Sequence, residues 1–120
     1  MQKSRIHTES EKTLEARLVR EIEARGGMAL KYTSQYHRGI PDRIILMPYG
    51  RIYFVELKST GKKPTKLQKH AIEKINALGY PAWIIDNTPE LERLLLCIDR
   101  EQRYFQPRPP ETPKPRIISA

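Results

Sequence analysis

A single cysteine, Cys97, rules out a disulfide framework in this chain of 120 residues. Its three histidines, His7, His37 and His70, stand at no zinc-ligand spacing, so a soft-metal site built from thiolates and imidazoles is excluded as well. There is no apolar stretch of membrane-spanning length, no secretory leader pattern and no internal repeat. These absences lead us to expect a reducing cytoplasm and no membrane. Acidic residues are in the minority, 14 Asp and Glu against 22 Lys and Arg, and the formal net charge of +8 suits a polyanionic partner. Five of the ten prolines crowd the end, as Pro107, Pro109, Pro110, Pro113 and Pro115, interleaved with Arg108, Lys114 and Arg116. That composition predicts a flexible basic tail over 107–120 behind one domain over 1–106, a length that builds a single core.

Hydrophobic periodicity and turn residues divide the domain. A capping box from Thr8 and Glu11 and a stop at Gly26 Gly27 predict a helix over about Glu11–Arg25. Strands follow at Ala29–Tyr32 and on either side of a turn at Pro48–Arg51, then a helix over Thr65–Leu78, a strand over Ala82–Asp86 and a short helix near Glu90–Leu96. Strands separated by helices give an α/β domain with a mixed sheet flanked by helices. Ala82 Trp83 Ile84 Ile85 is continuously apolar, which predicts a central strand buried on both faces with Trp83 in the core. The apolar stretch from Leu91 to Ile98 calls for a second subunit unless it packs on this core.

The chemistry concentrates around the predicted hairpin. Ile52 to Lys58 reads as a strand ending Val55 Glu56 Leu57 Lys58, and alternation places Glu56 and Lys58 on one face. Its partner strand, Arg43 to Met47, is preceded by Gly39 Ile40 Pro41 Asp42, in which Pro41 fixes its own φ, biases Ile40 to extended geometry and so holds Asp42 rigidly. A turn at Pro48–Arg51 brings Asp42 opposite Glu56 to Lys58, although a slip of one residue would change its neighbour. Two carboxylates converging at strand ends, with the Leu57 carbonyl, make an oxygen-rich site for a hard cation, Mg²⁺ or Mn²⁺. Lys58 on the same face can orient a water and offset charge building on a phosphoryl oxygen. Standing alone, Glu-x-Lys at a strand end is better explained by a weak ion pair; the preceding Pro-Asp segment reverses that balance in favour of a site.

Gly39 Ile40 Pro41 Asp42, then Val55 Glu56 Leu57 Lys58, then Gln68, resemble the VRR-NUC family of the PD-(D/E)XK nuclease superfamily, over roughly Thr13 to Asn87. The short spacer between the acidic motifs is similar to that of compact, phage-type members. The resemblance implies a restriction-endonuclease-like αβββαβ core, Mg²⁺ or Mn²⁺, and hydrolysis of phosphodiester bonds in DNA. Some such members resemble dimeric Holliday junction resolvases, which implies a homodimer on branched DNA, and phage encoding would make the cytoplasm that of an infected host. Flap or non-specific cleavage, or a catalytically silent DNA-binding module, are the competing functions.

The family also carries an acid in its first helix, which the resemblance places at Glu15, with Glu11 as the fallback. Glu15, Leu18, Val19 and Ile22 follow helical spacing, so Glu15 lies on or beside the apolar stripe, where Lys58 or a water held by the metal could satisfy it. Gln68 has two readings, the far half of a capping box with Thr65 and, by resemblance, a contact to the metal site or scissile phosphate. Lys31, Arg38 and Arg43 around the first motif, and Lys62, Lys63, Lys66 and Lys69 after the second, form the expected DNA-binding set. Tyr32, Tyr36 and His37 belong to a polar loop able to hold stacked bases or simply to pack by hydrogen bonds.

Overall fold

The computed structural model describes residues 8–34, 38–104 and 115–117. Tyr36, His37 and nearly all of the proline-rich stretch lie outside them. Helix α1 (Glu11–Ala24) leads into strand β1 (Met28–Lys31), then β2 (Arg43–Met47), a 3₁₀ turn at Pro48–Gly50, β3 (Arg51–Leu57), α2 (Lys66–Ala77), β4 (Ala82–Ile85) and α3 (Thr88–Tyr104). The sheet order is β1-β2-β3-β4, antiparallel up to β3 and parallel between β3 and β4. This is the anticipated αβββαβ core, an α/β mixed sheet flanked by helices, with a third helix appended.

Each element follows from local chemistry, with corrections. Ser10, not Thr8, caps α1: its backbone is extended and its side chain accepts the Thr13 amide at 3.1 Å. The buried stripe is Leu14, Leu18 and Ile22, one position round from the predicted one, so Glu15 and Val19 flank it. The hairpin turn puts Tyr49 and Gly50 at positive φ, and its register pairs Arg43 with Val55. Thr65 caps α2 in a reciprocal box with Gln68, as predicted.

β4 is an edge strand of the described sheet rather than a central one. Its apolar run reflects helices on both faces, α2 on one side and α3 on the other; Ile85 is buried and Trp83 packs against the core. Helix α3 is far longer than expected. Leu91, Leu94, Leu95 and Ile98 form its buried stripe and join Leu14, Leu18, Ile45, Tyr53 and Val55 in the core. The polar turns beyond Ile98 are held by tertiary pairs, Arg25 with Asp99 at 2.7 Å and Arg51 with Glu101 at 2.8 Å. The Leu91 to Ile98 stretch is therefore satisfied within the chain and requires no second subunit. Cys97 is half-buried beside Glu101, and its thiol pKa is raised, chiefly by burial. No helix among the described residues is long and apolar enough to cross a membrane.

Candidate active site

Strand parity builds the site. Ile45, Met47, Tyr53, Val55 and Leu57 point to one face of the sheet and form the core with α1 and α3. Asp42, Glu56 and Lys58 have the opposite parity and share the other face. Since Arg43 pairs with Val55, the next step of the register sets Asp42 against Glu56, the anticipated arrangement. Pro41 is fully buried, and the Tyr32 amide donates to the Asp42 carbonyl at 2.7 Å, so Asp42 is fixed from both sides.

Gly39 explains how helix α2 is brought in. At φ +84° it packs so tightly on the first turn of α2 that a Cβ would lie 2.5 Å from the Leu67 backbone and 2.8 Å from the Gln68 amide nitrogen. This contact delivers Gln68 to the site. Its Oε1 accepts the Thr65 amide at 2.9 Å while its Nε2 points to Glu56 Oε2 at 3.5 Å. The side chain thus closes the capping box with Thr65 and reaches toward Glu56.

The electrostatics are those of a strained acidic pair. Glu56 is 7% exposed, and its carboxyl pKa is raised, first by burial and then by the negative charge of Asp42; Lys58 and the Asp42 amide act in the opposite direction. Lys58 Nζ lies 3.7 Å from Glu56 Oε2. Asp42 Oδ1 is buried and accepts no hydrogen bond among the described residues. A buried acceptor without a donor is costly, and beside a second carboxylate it is an arrangement that a cation relieves. The register supplies a third oxygen. Carried one step further it brings Pro41 opposite Leu57, and proline has no N–H with which to occupy the Leu57 carbonyl. The donor set thus fits a hard divalent cation.

Two predicted residues are placed differently. Arg43 is 7% exposed and faces the core side, where it pairs with Glu15 at 2.9 Å and donates to the Ala29 carbonyl at 3.2 Å; it offers nothing to a phosphate. Glu15 accordingly finds its cation in Arg43, not Lys58, and among the described residues no three acidic, histidine or cysteine side chains converge on a metal position. The charge of Glu11 on α1 also raises the Glu56 pKa, as the least of its causes. The Arg43 to Glu15 pair escaped the sequence reading, although Arg43 shares the parity of Ile45 and Met47, which already assigned it to the core face. Lys31, Arg38, Lys62, Lys63, Lys66 and Lys69 are all exposed.

No protein-family model matches the chain. A protein of Acyrthosiphon pisum secondary endosymbiont phage 1 described as "Putative nuclease p44" is 40% identical over 77 residues, covering 64% of this chain and 83% of that protein. A solved structure described as "VRR_NUC domain" superposes with a TM-score of 0.67 at 23% identity, over 73% of this chain and 97% of that one. The chain therefore belongs to the same family as that phage protein described as a putative nuclease, and it has the fold of the VRR_NUC domain structure.

Proposed function

We propose that the chain is a Mg²⁺- or Mn²⁺-dependent endonuclease that hydrolyses phosphodiester bonds in branched DNA, such as a four-way junction, as a homodimer. The observation that carries this reading is the buried oxygen of Asp42, unpartnered among the described residues, beside the desolvated Glu56 carboxyl, with Lys58 on the same face. Asp42, Glu56 and the Leu57 carbonyl would hold the cation. When bound it supplies a lowered water pKa and neutralises charge on the phosphate. Lys58 orients the attacking water and stabilises negative charge on the non-bridging oxygens in the transition state. Gln68 Nε2 fixes the Glu56 carboxylate, so the geometry is set before substrate arrives. Arg43, tied to Glu15, anchors β2 directly behind Asp42.

The exposed cations supply the phosphate track. Lys62 and Lys63 lie in the loop that follows β3, and Lys66 and Lys69 begin α2, so a backbone entering over α2 meets positive charge before it reaches Lys58. Arg38, exposed shortly before Asp42 in the chain, extends the track, and Lys31, exposed at the edge strand with the parity of Arg43, adds positive charge at that edge. Symmetric incision of a junction needs paired sites, which is why a second copy belongs to the proposal. The test presents linear duplex, flap and four-way junction DNA to the protein with Mg²⁺ or Mn²⁺, and reads products on a denaturing gel. Paired cuts confined to the junction, with a dimer mass by light scattering, are expected. Cuts on flaps or on every substrate would reject branch selectivity, a monomer mass would reject the homodimer, and binding without cutting would leave a DNA-binding module.

A further inference from the structure

From the strand beside the site, we propose that Tyr32 is a substrate-binding residue that stacks on an unpaired base of the nucleotide flanking the scissile phosphate. The inference rests on the nuclease reading above and deepens it, because a base can reach this ring only after leaving its duplex stack.

Tyr32 continues β1, and the bond from its amide to the Asp42 carbonyl sets it directly opposite Asp42. Residues directly opposite in an antiparallel pair share a face, so Tyr32, Asp42 and Glu56 form a row across the sheet, with adjacent strands about 4.8 Å apart. Tyr32 is 46% exposed, and Leu30 and Met28, which precede it on the same face, are 39% and 56% exposed. Helix α2 packs against β4, at the opposite edge of the sheet, so among the described residues its main contact is away from β1. A phosphate held at Asp42 and Glu56 therefore has an aromatic surface one strand spacing away and an apolar strip beyond it. Stacking of bases on such surfaces is tolerant of sequence, which suits an enzyme that reads branching. The occupant is nucleic acid rather than a second copy of the chain because Lys31 lies within this edge strand and Arg38 follows it, both exposed. Edge lysines disfavour pairing with another strand and favour a phosphate backbone.

The test combines protein and substrate changes. Steady-state cleavage is measured for wild type, Tyr32→Ala and Tyr32→Phe on a junction and a flap, and again with an abasic analogue at each nucleotide flanking the cut in turn. Loss of one stacked base predicts a rise in KM of about tenfold for Tyr32→Ala, with kcat and melting temperature unchanged and much of the loss recovered by Tyr32→Phe. On the abasic substrate the gap between wild type and Tyr32→Ala should close. A gap that persists there, a Tyr32→Ala variant that matches a cutting wild type, or a halved mass by light scattering would each overturn the inference. A wild type that cuts nothing with Mg²⁺ or Mn²⁺ would instead overturn the nuclease reading and take this inference with it.

Discussion

Gln68 serves both the α2 cap and Glu56, and substitutions can pull these roles apart. Thr65→Ala removes the acceptor for the Gln68 amide, and Gln68→Ala removes the acceptor for the Thr65 amide, so each deletes one half of the capping box. A cap is worth about 1 kcal/mol, and for a domain of this size that lowers the melting temperature by roughly 4–8 °C. Only Gln68→Ala also releases Glu56 Oε2, whose contact with Nε2 is long at 3.5 Å. A hydrogen bond to a charged group contributes about 1.5–3 kcal/mol, and the length of this one argues for the lower end, a loss of about tenfold in kcat. Gln68→Glu keeps an oxygen for the Thr65 amide and places negative charge at a helix N-terminus, where it is favourable, but it turns the face toward Glu56 into a repulsive one. Thermal melts followed by circular dichroism, together with turnover on junction DNA, should show both alanine variants destabilised alike. Turnover should fall in Gln68→Ala and Gln68→Glu but not in Thr65→Ala. If Gln68→Glu cleaves like wild type, the contact with Glu56 has no role in catalysis.

The acidic pair makes further predictions. Mn²⁺ at a hundred times its dissociation constant should stabilise the wild type by about 2.7 kcal/mol, visible as a raised melting temperature that EDTA reverses and that Asp42→Asn lacks; an equal shift in that variant would place the ion elsewhere. Because the Glu56 pKa is raised, its ionised form costs stability, which is retained below the usual carboxylate range near pH 4 and lost as pH rises through the folded-state value. Glu56→Gln should therefore melt above wild type at pH 7, converge with it near pH 4, and cleave nothing; a lower melting temperature at pH 7 would contradict the assignment. Gly39→Ala demands both a positive φ and space already filled by the Leu67 backbone. It should lower stability by about 1–3 kcal/mol and depress cleavage by displacing Gln68, and a neutral result on both measures would show that the loop does not position α2.

The parts of the site that were legible in the sequence are those governed by short periods. A two-residue alternation and a compact turn put Glu56 and Lys58 on one face with Asp42 opposite that stretch; which residue Asp42 meets was open to a one-residue slip, and the register that buries Ile45 and Val55 together sets it against Glu56. The Thr65 to Gln68 box was equally local. What was not legible depended on partners distant in sequence. The neighbour of Asp42, Arg43, read as a phosphate ligand because its charge was counted before its parity. Glu15 was assigned to the site because no pattern within α1 announces that its cation comes from β2. The long α3 was missed because its last turns are held by Arg25 and Arg51, far from it in the chain. β4 was mistaken for a central strand because helices on both faces produce the same apolar run as strands on both edges.

The central claim is that Asp42 and Glu56 form a metal-dependent phosphodiesterase site. It is tested most directly by incubating wild type and Asp42→Ala with four-way-junction DNA in the presence of Mg²⁺, Mn²⁺ or EDTA and resolving the products on a denaturing gel. Cleavage is expected from the wild type with either metal, with none in EDTA and none by Asp42→Ala, which still melts cooperatively. Cleavage that survives EDTA or the loss of Asp42 would contradict it.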